Sequence, residues 1–434
     1  MTKDIARICM VSDFFYPNVG GVEEHIFNLS QCLISMGFKV IVVTHSYKDR
    51  VGIRYMSCGL KVYYLPIKTF YNQCVLPTMI ASLPLIRYIL IREEITIVHG
   101  HSAFSALAHE VMIIGKLMGL KTVFTDHSLF GFADTSAIIT NKFLEISLAN
   151  IDHCVCVSHI GKENTVLRAR VHHSRVSVIP NAVDTKVFKP DLGLRTQNRI
   201  VVVTIGRLVY RKGIDLLAQI IADICPKYHD VDFMIGGEGV KRALLEEVIS
   251  SRGLQNRVTL LGPLPHSEVC KVLNKGHIFL NTSLTEAYCM AIVEAVACGL
   301  EVVCTKVGGI PEVLEPRLVH LCEPSVAKLS EGLEKAIAEV REGKGVPAVE
   351  RHKAVANAYN WKDVTRRTII VYTAALSYPQ LNFRSQQANY LKSGVWPFLL
   401  VTSLMYIFLH ALNWIIPNLK IERAKDFQKK NKCL

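Results

Sequence analysis

The stretch Ile200-Val-Val-Val-Thr-Ile-Gly-Arg-Leu-Val-Tyr-Arg-Lys-Gly213 joins a continuous apolar run to a loop with glycine and three cations. Such a run, bounded by glycine, is typical of a buried parallel strand. In a doubly wound α/β fold, the loop after the first strand is a phosphate-binding position. Arg207 can bind two phosphate oxygens through its planar guanidinium, and Lys212 adds a compact charge. A solvated basic loop is the alternative interpretation.

Strand-like runs separated by helix-length segments occur on both sides of this stretch. Before it they are 7–11, 39–44, 61–65, 95–99, 121–125, 153–157 and 176–179, and from its start they are 200–205, 231–235, 258–261, 277–281 and 301–304. This alternation predicts an α/β protein with two Rossmann-like domains, each built on a doubly wound parallel sheet.

The alternation breaks at 184–198, which contains Pro190, Gly193 and several charges. We therefore predict a linker at 188–199, between an N-terminal domain of residues 1–187 and a C-terminal domain of residues 200–360, and a closing helix at 361–380. Because open α/β sheets bind ligands outside the carboxyl ends of their strands, two facing sheets are expected to hold two reactants in a cleft.

Composition sets limits on the class of protein. A chain of 434 residues is longer than a single hydrophobic core usually supports, so more than one domain is expected. With 50% hydrophobic and 20% charged residues, the chain is too polar for a polytopic membrane protein. The 13 cysteines are odd in number and form no CxxC pair. We interpret them as small buried apolar side chains of a protein in a reducing compartment, and we expect no metal site. The net charge is +13, but the sequence contains no Lys/Arg-rich block interleaved with aromatic residues. This favours phospholipid or nucleotide phosphates over nucleic acid as the anionic partner.

One segment is long and apolar enough to cross a membrane. Residues 395–416 carry no formal charge apart from any on His410, and 22 helical residues at about 1.5 Å each span a hydrocarbon core. The basic tail, 417–434, holds six Lys or Arg against two acidic residues and would prefer the cytosol. Since residues 1–13 lack a signal peptide, the N-terminus is also expected there. We favour a single crossing, with a re-entrant or interfacial helix, or a buried core helix, as alternatives.

A second apolar stretch, 75–91, is interrupted by Pro77, Pro84 and Arg87, so it cannot span a membrane. It is interpreted equally well as a membrane-docking segment or as a core helix of the first domain.

Two glycine turns follow predicted strands. Gly20 and Gly21 open a helix and would let backbone N–H groups approach an anion, although a plain capping turn has the same sequence. Gly236 and Gly237, followed by Glu238, remove side chains from a strand end where a nucleotide could approach.

Two acidic residues and one histidine complete the candidate site. Glu286 and Glu294 are eight residues apart in an otherwise apolar segment, so they would lie two turns apart on a buried helix. Buried carboxylates without an adjacent lysine need partners such as ligand hydroxyls, which favours sugar and ribose recognition. His127 follows a strand of the first domain and could bind substrate or be a structural histidine, as could His99 and His101 with less support.

The segment from Glu286 to Glu294 resembles the E-x7-E signature of family 4 retaining glycosyltransferases, which have the GT-B fold. Gly20, Gly21, His127, Arg207 and Lys212 fall at functional positions of that family. Stretches 12–25, 125–134, 162–168 and 281–294 are similar to one branch of it, the transferases that act on phosphatidylinositol, and the resemblance covers about 7–361 and extends to a C-terminal anchor.

This resemblance implies transfer of N-acetylglucosamine from UDP-GlcNAc to phosphatidylinositol with retention, the first step of glycosylphosphatidylinositol (GPI) anchor synthesis. It also implies a single-pass protein of the endoplasmic reticulum membrane, with its catalytic domains on the cytoplasmic face, in a complex with other subunits. In the family pattern the residues Arg207 and Lys212 stabilise the departing diphosphate, Glu286 and His127 contact the sugar, and Glu294 holds the ribose. UDP-GlcNAc is the donor, and no metal or other cofactor is expected.

The chain departs from the family pattern at two positions. Tyr288 stands where Phe is common, so its hydroxyl needs a partner, and Glu238 stands where Asp is frequent. Two other functions stay open: a family 4 transferase with another donor, such as GDP-mannose, and a lipid acceptor, or a nucleotide-sugar-binding regulatory protein without turnover.

Overall fold

The computed structural model describes residues 6–18, 20–71, 73–129 and 135–425. The chain divides into two compact units, each considered by itself: unit 1 comprises Met1–Ile179 and Trp361–Leu434, and unit 2 comprises Pro180–Asn360. Val19, Phe130–Asp134 of the stretch 125–134, and 426–434 of the predicted basic tail lie outside the described residues.

Unit 1 contains an eight-stranded sheet. Its strands and those of a separate hairpin are β1 (Arg7–Val11), β2 (Lys39–His45), β3 (Gly52–Tyr55), β4 (Lys61–Leu65), β5 (Thr69–Tyr71), β6 (Cys74–Val75), β7 (Ile97–His101), β8 (Lys121–Asp126), β9 (His153–Cys156) and β10 (Val176–Val178). The sheet order is β10-β9-β8-β7-β1-β2-β4-β3, and every neighbouring pair is parallel except β3 with β4, while β5 pairs with β6. The strand order reverses between β1 and β7, which is the switch point of this unit.

The central strands of unit 1 are apolar because helices cover them. The helices are α1 (Gly21–Ser35), α2 (Leu83–Arg92), α3 (Ala106–Leu117), α4 (Thr135–Leu148) and α5 (His159–Ala169). Residues 8–11 of β1 are fully buried, as expected for a strand covered on both faces. The stretch 75–91 contributes α2, whose Leu83, Ile86 and Leu90 lie in the core while Leu85 and Tyr88 are exposed.

Unit 2 has a six-stranded, fully parallel sheet. Its strands are β11 (Ile200–Ile205), β12 (Val231–Gly236), β13 (Val258–Gly262), β14 (Ile278–Asn281), β15 (Glu301–Thr305) and β16 (His320–Cys322), and its helices are α6 (Ile214–Lys227), α7 (Arg242–Ser251), α8 (His266–Lys275), α9 (Met290–Ala297), α10 (Val326–Glu342) and α11 (Ala348–Ala358). The order β13-β12-β11-β14-β15-β16 is that of a dinucleotide-binding Rossmann sheet, with its switch point between β11 and β14.

After unit 2 the chain returns to unit 1 with α12 (Trp361–Ser377), α13 (Phe383–Lys392) and α14 (Trp396–Ile415). Helix α12 corresponds to the predicted closing helix, and its Tyr372 is buried in unit 1. Helix α14 is long and apolar enough to cross a membrane, and within the described ranges it alone meets that criterion.

The boundary between the units differs from the predicted one, because the units divide between Ile179 and Pro180 and not at 188–199. The segment predicted as a linker is anchored within unit 2. The Asn274 side-chain amide donates a hydrogen bond of 3.0 Å to the Lys189 carbonyl and accepts one of 2.8 Å from the Asp191 N–H. The irregular segment 188–199 is therefore packed against unit 2 and is not a flexible linker.

Candidate functional site

The predicted cation loop of unit 2 lies at the switch point. Arg207 and Lys212 follow β11, while Glu286 follows β14, the strand beside β11 on the other side of the reversal. The Lys212 ammonium forms an ion pair with the Glu286 carboxylate, which also accepts a 3.0 Å hydrogen bond from the Ser283 hydroxyl. Residues 74 positions apart in sequence thus meet where α/β sheets bind ligands.

The ion pair keeps Lys212 charged. Burial alone would lower the pKa of Lys212, but the charge of the Glu286 carboxylate and its hydrogen bond to the ammonium outweigh burial and raise that pKa above its ordinary value. Arg207 precedes Lys212 by five residues in the same loop, its charge opposes this rise in the pKa of Lys212, and its side chain is exposed. The loop therefore presents one paired and one exposed cation.

Backbone contacts hold the loops after β11, β12 and β14 together. The Leu208 N–H donates to the Glu238 carbonyl at 2.8 Å, and the Leu284 N–H donates to the Arg211 carbonyl at 2.8 Å. Gly213 has φ of 65°, and a Cβ there would lie 1.8 Å from the Thr282 carbonyl oxygen. Only glycine allows this approach, so the cation loop is packed in one position.

The glycine turn after β12 packs equally closely. Gly237 has φ of 138°, and a Cβ on it would lie 1.9 Å from the Gly206 carbonyl oxygen, while a Cβ on Gly236 would lie 2.3 Å from the Leu264 side chain. Glu238 is about half exposed and pairs with Arg242 at 3.0 Å. The turn thus places bare backbone beside the cation loop, with an exposed carboxylate at its edge.

Glu294 lies on α9, which starts four residues after Glu286. Glu286 itself is in the preceding loop, so the two carboxylates do not share a helix. Glu294 is 8% exposed, and its carboxylate is 3.8 Å from the His266 ring. The expectation of carboxylates without an adjacent lysine was wrong for Glu286, because Lys212 approaches it from a distant part of the sequence.

Two residues between these carboxylates are buried. The Tyr288 hydroxyl donates a 3.0 Å hydrogen bond to the Asn181 carbonyl, which supplies the partner that this departure from the family pattern requires. Cys289 adopts a left-handed conformation with φ of 72° directly before α9. Burial raises the pKa of Cys289 to about 12, with a contribution from Glu286, so this thiol is neutral.

In unit 1 the histidines form a buried cluster at the switch point. The His101 Nδ1 lies 3.3 Å from the His127 Nε2, and the His25 ring centroid lies 4.8 Å from that of His127. His99 contacts the Thr125 hydroxyl through Nε2 and the Tyr372 hydroxyl through Nδ1, both at 2.7 Å. His127 was predicted from its position after a strand. The network around it joins residues of β7, β8 and α12, and no short stretch of the sequence indicates that these residues meet.

Three of these imidazoles, those of His99, His101 and His127, are neutral at physiological pH. Burial, followed by the charge of His25, lowers the pKa of His127 well below its ordinary value and lowers that of His99 to about 3. His101 shifts in the same direction, mainly through burial. A neutral His127 can donate or accept a hydrogen bond to a sugar hydroxyl but adds no positive charge.

Gly20 and Gly21 lie at the start of α1, as predicted. Gly20 is the residue before the helix and is extended, with φ of −174°, and a Cβ on it would lie 2.6 Å from the Glu23 carboxylate. The first turn contains Glu23 and Glu24. Because carboxylates already occupy the first turn, this helix start is less suited to an anion than the glycines alone indicate.

Asp13, which sequence analysis did not select, organises the unit 1 switch point. Its carboxylate accepts hydrogen bonds from the Val75 N–H at 3.0 Å, the Ser105 hydroxyl at 3.0 Å and the Leu107 N–H at 3.1 Å. Burial raises the pKa of Asp13 to about 7, against these hydrogen bonds. Its position after the first strand is the only signal in the sequence.

Two groups of side chains, each within one unit, could in principle hold a metal ion. His25, His101 and His127 place ligand atoms within 4.8 Å of one another in unit 1, and Glu301, His320 and Glu339 do so in unit 2. The second group already contains ion pairs, including Glu301 with Arg351. Within unit 2, the described group includes neither Lys212 nor Glu286, and the expectation that the reaction uses no metal stays a prediction.

Comparison with known proteins identifies the family. Family models match residues 45–134, as PIGA (GPI anchor biosynthesis), and residues 188–361, as glycosyl transferases group 1. The PIGA-type subunit of phosphatidylinositol N-acetylglucosaminyltransferase from Homo sapiens is 55% identical, covering 97% of this chain and 87% of that protein. The equivalent protein of Arabidopsis thaliana is 49% identical, covering 97% and 94%. The solved structure of sucrose-phosphate synthase from Thermosynechococcus elongatus has a TM-score of 0.71 at 18% identity and covers 86% of this chain and 99% of that one.

The two Rossmann-like sheets and these matches define a glycosyltransferase of the GT-B fold. The chain belongs to the PIG-A family, whose members are subunits of phosphatidylinositol N-acetylglucosaminyltransferase in GPI-anchor biosynthesis. The fold class and the family predicted from the sequence are confirmed.

Proposed function

We propose that this chain is the catalytic subunit that transfers N-acetylglucosamine from UDP-GlcNAc to phosphatidylinositol with retention of configuration. Family membership supports the reaction, since the relatives are named as subunits of that transferase. The observation that carries the catalytic assignment is the Lys212–Glu286 ion pair at the unit 2 switch point, with the exposed Arg207 in the same loop as Lys212.

In this proposal unit 2 binds the nucleotide. Diphosphate oxygens replace Glu286 as the partner of Lys212, and Arg207 binds them through its guanidinium. Gly236 and Gly237 pack against the protein and hold their main chain beside the cation loop, where it contacts the nucleotide, with Glu238 at its edge. Glu294, buried and near a histidine, accepts hydrogen bonds from the ribose hydroxyls. Glu286, released from Lys212, accepts hydrogen bonds from the sugar.

The chemistry is a displacement on the face of the leaving group. The bond from the anomeric carbon to the diphosphate breaks, the bond to the inositol oxygen forms, and the inositol proton passes to a diphosphate oxygen. Lys212 and Arg207 stabilise the negative charge that develops on UDP, which is where preorganised cations lower the barrier most. The family resemblance favours this route over a covalent glycosyl-enzyme, which would need a carboxylate nucleophile close beneath the anomeric carbon.

In unit 1, neutral His127 contacts the donor sugar. The main chain at Gly20 and Gly21, at the start of α1, is where the donor or the acceptor approaches. The acceptor is phosphatidylinositol in the endoplasmic reticulum membrane, with both units on the cytoplasmic face and other subunits of the transferase bound. One apolar helix and the subunit names of the relatives support membrane attachment and a complex.

The decisive experiment uses microsomes from cells that lack this protein, with and without the full chain restored. Radiolabelled UDP-GlcNAc should label a lipid that phosphatidylinositol-specific phospholipase C cleaves, only when the chain is present. Labelling from GDP-mannose instead would support the other donor.

The alternative of a regulatory protein without turnover needs a variant. Glu286→Gln should abolish labelling while the assembled complex keeps its normal abundance. Full labelling by that variant would show that another subunit carries the reaction.

A further inference from the structure

Two loops of unit 1 carry exposed cations at one edge of the sheet. The β2 loop (46–50) contains Lys48 and Arg50, the β4 loop (66–68) contains Lys68, and all three side chains are exposed. Strands β2 and β4 are parallel neighbours whose last residues pair with each other. The two loops therefore leave the sheet side by side, at the edge where open α/β sheets bind ligands.

The β2 loop has a defined backbone conformation. Tyr47 and Arg50 exchange backbone hydrogen bonds of 3.3 and 2.8 Å, which close a tight turn. Within this turn Lys48 has φ of 51°, a left-handed conformation that favours glycine or asparagine. Backbone preference does not explain a lysine at this position, so its charge needs another explanation.

The β2 loop is anchored to the segment that follows β1. The buried Tyr47 hydroxyl donates a 2.8 Å hydrogen bond to the Asp13 carbonyl. The Arg50 guanidinium lies over the Tyr64 ring, 5.7 Å from its centroid, and the Tyr64 hydroxyl donates to the Tyr16 carbonyl at 3.0 Å. Both ends of the turn are thus fixed against the segment that leads to the glycine turn before α1.

Further contacts join the two loops and the hairpin after them. The Ser46 hydroxyl donates a 3.1 Å hydrogen bond to the Ile67 carbonyl. Asp13, whose carbonyl holds the β2 loop, also accepts a 3.0 Å hydrogen bond through its carboxylate from the Val75 N–H of the β5–β6 hairpin. The three cations therefore belong to one connected framework around Asp13.

Cations near the opposite edge of the same sheet are paired with carboxylates. Arg7, at the start of β1, forms an ion pair with Glu94. Lys61, at the start of β4, forms one of 2.6 Å with Glu93. The protein itself balances the positive charge at that edge.

The cations of the β2 and β4 loops have no such partner among the residues that the structure describes. Asp49 lies in the same turn as Lys48 and Arg50 but forms no ion pair with either of them. Three cations against one carboxylate leave this part of the ligand-binding edge positive, which suits a negatively charged ligand.

Apolar side chains accompany this positive surface. Phe70, two residues beyond Lys68 in the β5–β6 hairpin, is 75% exposed, and Leu76, directly after the hairpin, is 56% exposed. Together the loops and the hairpin offer cations for a phosphate and large apolar side chains for hydrocarbon. This combination fits an amphiphile better than a free ion.

Both loops also lie in the part of the chain that is particular to the GPI branch. Residues 45–134, which match the GPI-anchor biosynthesis family, include both loops, whereas the match to glycosyl transferases in general covers 188–361. Transferases of one fold share a nucleotide-sugar donor and differ in the acceptor. Acceptor recognition is therefore expected in the segment that contains these loops.

We propose that the β2 loop and the β4 loop bind the phosphodiester of the acceptor lipid through Lys48, Arg50 and Lys68. Arg50, held on the Tyr64 ring, binds phosphate oxygens through its guanidinium, and the two lysines add charge. This inference rests on the proposed function, since it assigns the acceptor phosphate site of that reaction.

The first test uses the purified transferase complex in detergent micelles that contain phosphatidylinositol, with each variant at matched abundance. Arg50→Gln combined with Lys68→Gln should raise the apparent KM for phosphatidylinositol about tenfold, because two phosphate contacts are lost. The kcat and the KM for UDP-GlcNAc should stay unchanged. Arg50→Lys, which keeps the charge, should raise the KM less than Arg50→Gln does.

Arg54→Gln is the matched control. Arg54 is an exposed arginine of β3 that pairs in register with Val62, near the start of β4 and away from the end where the two loops lie. This variant should leave both KM values unchanged. An unchanged KM for phosphatidylinositol in the double variant, or an equal rise in the control, would overturn the proposal.

The second test measures binding without transfer. A fluorescent short-chain phosphatidylinositol is bound to the complex in the absence of UDP-GlcNAc and followed by its anisotropy. Unlabelled phosphatidylinositol and its deacylated headgroup, glycerophosphoinositol, should displace it, and the double variant should bind it about tenfold more weakly.

The competitors distinguish the possible sources of phosphate. Equal displacement by inorganic phosphate would indicate a site for the free ion, and equal displacement by phosphatidylserine would indicate a general surface for anionic membranes. Either result would overturn the assignment to the acceptor. If the unchanged complex bound the probe through these cations but transferred no sugar, the proposed reaction would fail while this site remained.

Discussion

The Lys212 ammonium and the Glu286 carboxylate form an ion pair across the point where the strand order of unit 2 reverses. In the proposed reaction Lys212 exchanges this carboxylate partner for phosphate oxygens of the donor. The side chain is therefore held in position before the donor binds, and little reorganisation is needed at the moment of bond cleavage.

Replacement of this lysine tests its role. Lys212→Ala should lower kcat by about 10²- to 10³-fold, the usual effect of removing one group that stabilises developing charge. The measurement is initial-rate transfer from UDP-GlcNAc in microsomes, at matched protein abundance. Lys227→Ala, which breaks an exposed Lys–Glu ion pair of the same unit, is the control and should leave the rate unchanged. Equal losses in both variants would contradict the assignment.

The close packing of the cation loop gives a second prediction. Gly213→Ala should destabilise unit 2 and abolish transfer, because its Cβ would overlap the Thr282 carbonyl oxygen. Gly253→Ala is a matched control: its φ of 66° is nearly that of Gly213 at 65°, but a Cβ there meets nothing within 4 Å. The control should cost only about 1–2 kcal/mol from the left-handed backbone. Thermal unfolding of both variants measures the difference, and similar shifts would refute the packing argument.

The buried histidines predict acid sensitivity. The folded protein holds His99 neutral down to a pKa of about 3, whereas the unfolded chain takes up that proton near the ordinary pKa of 6.5. The unfolded state therefore binds more protons between these values, so stability is lost as pH falls below about 6.5.

From about pH 7.5 to about pH 5.5, His99 should account for roughly 1.4 kcal/mol of lost stability. His99→Phe should show a smaller decrease in Tm over this range than the unchanged chain, whatever its absolute Tm. An identical pH dependence in both proteins would mean that His99 does not control it.

Metal independence gives a fourth prediction. Since Arg207 and Lys212 supply the positive charge that the diphosphate needs, transfer should continue in excess EDTA. Initial rates in microsomes, before and after chelation, measure this. Loss of turnover that Mn²⁺ restores would require a metal at the donor phosphates.

Continuous apolar strands were predicted well from the sequence. Runs 7–11 and 61–65 coincide with β1 and β4, because strands covered on both faces need apolar residues throughout. The edge strand β3 was not predicted, since all four of its residues are exposed and follow no burial pattern. The unit boundary also escaped prediction, because Asn274 anchors an irregular segment through backbone contacts that composition does not record.

The site was predictable only in part. Position after a strand and family resemblance selected Arg207, Lys212 and Glu286, but their pairing depends on the adjacency of β11 and β14, which the sequence does not show. Asp13 was missed because its importance lies in three donors from separate segments. Long-range contacts of this kind exist only after folding.

Met405 and Leu409 of α14 belong to the core of unit 1, and this has a practical consequence for the design of a water-soluble enzyme. Deleting the chain from Trp396 onward would remove Met405 and Leu409 from the unit 1 core and leave Arg87 without its acceptors, so the shortened protein should aggregate. Replacing the exposed Leu400, Leu404 and Ile407 by polar residues, with Met405 and Leu409 unchanged, is a better route to a soluble protein.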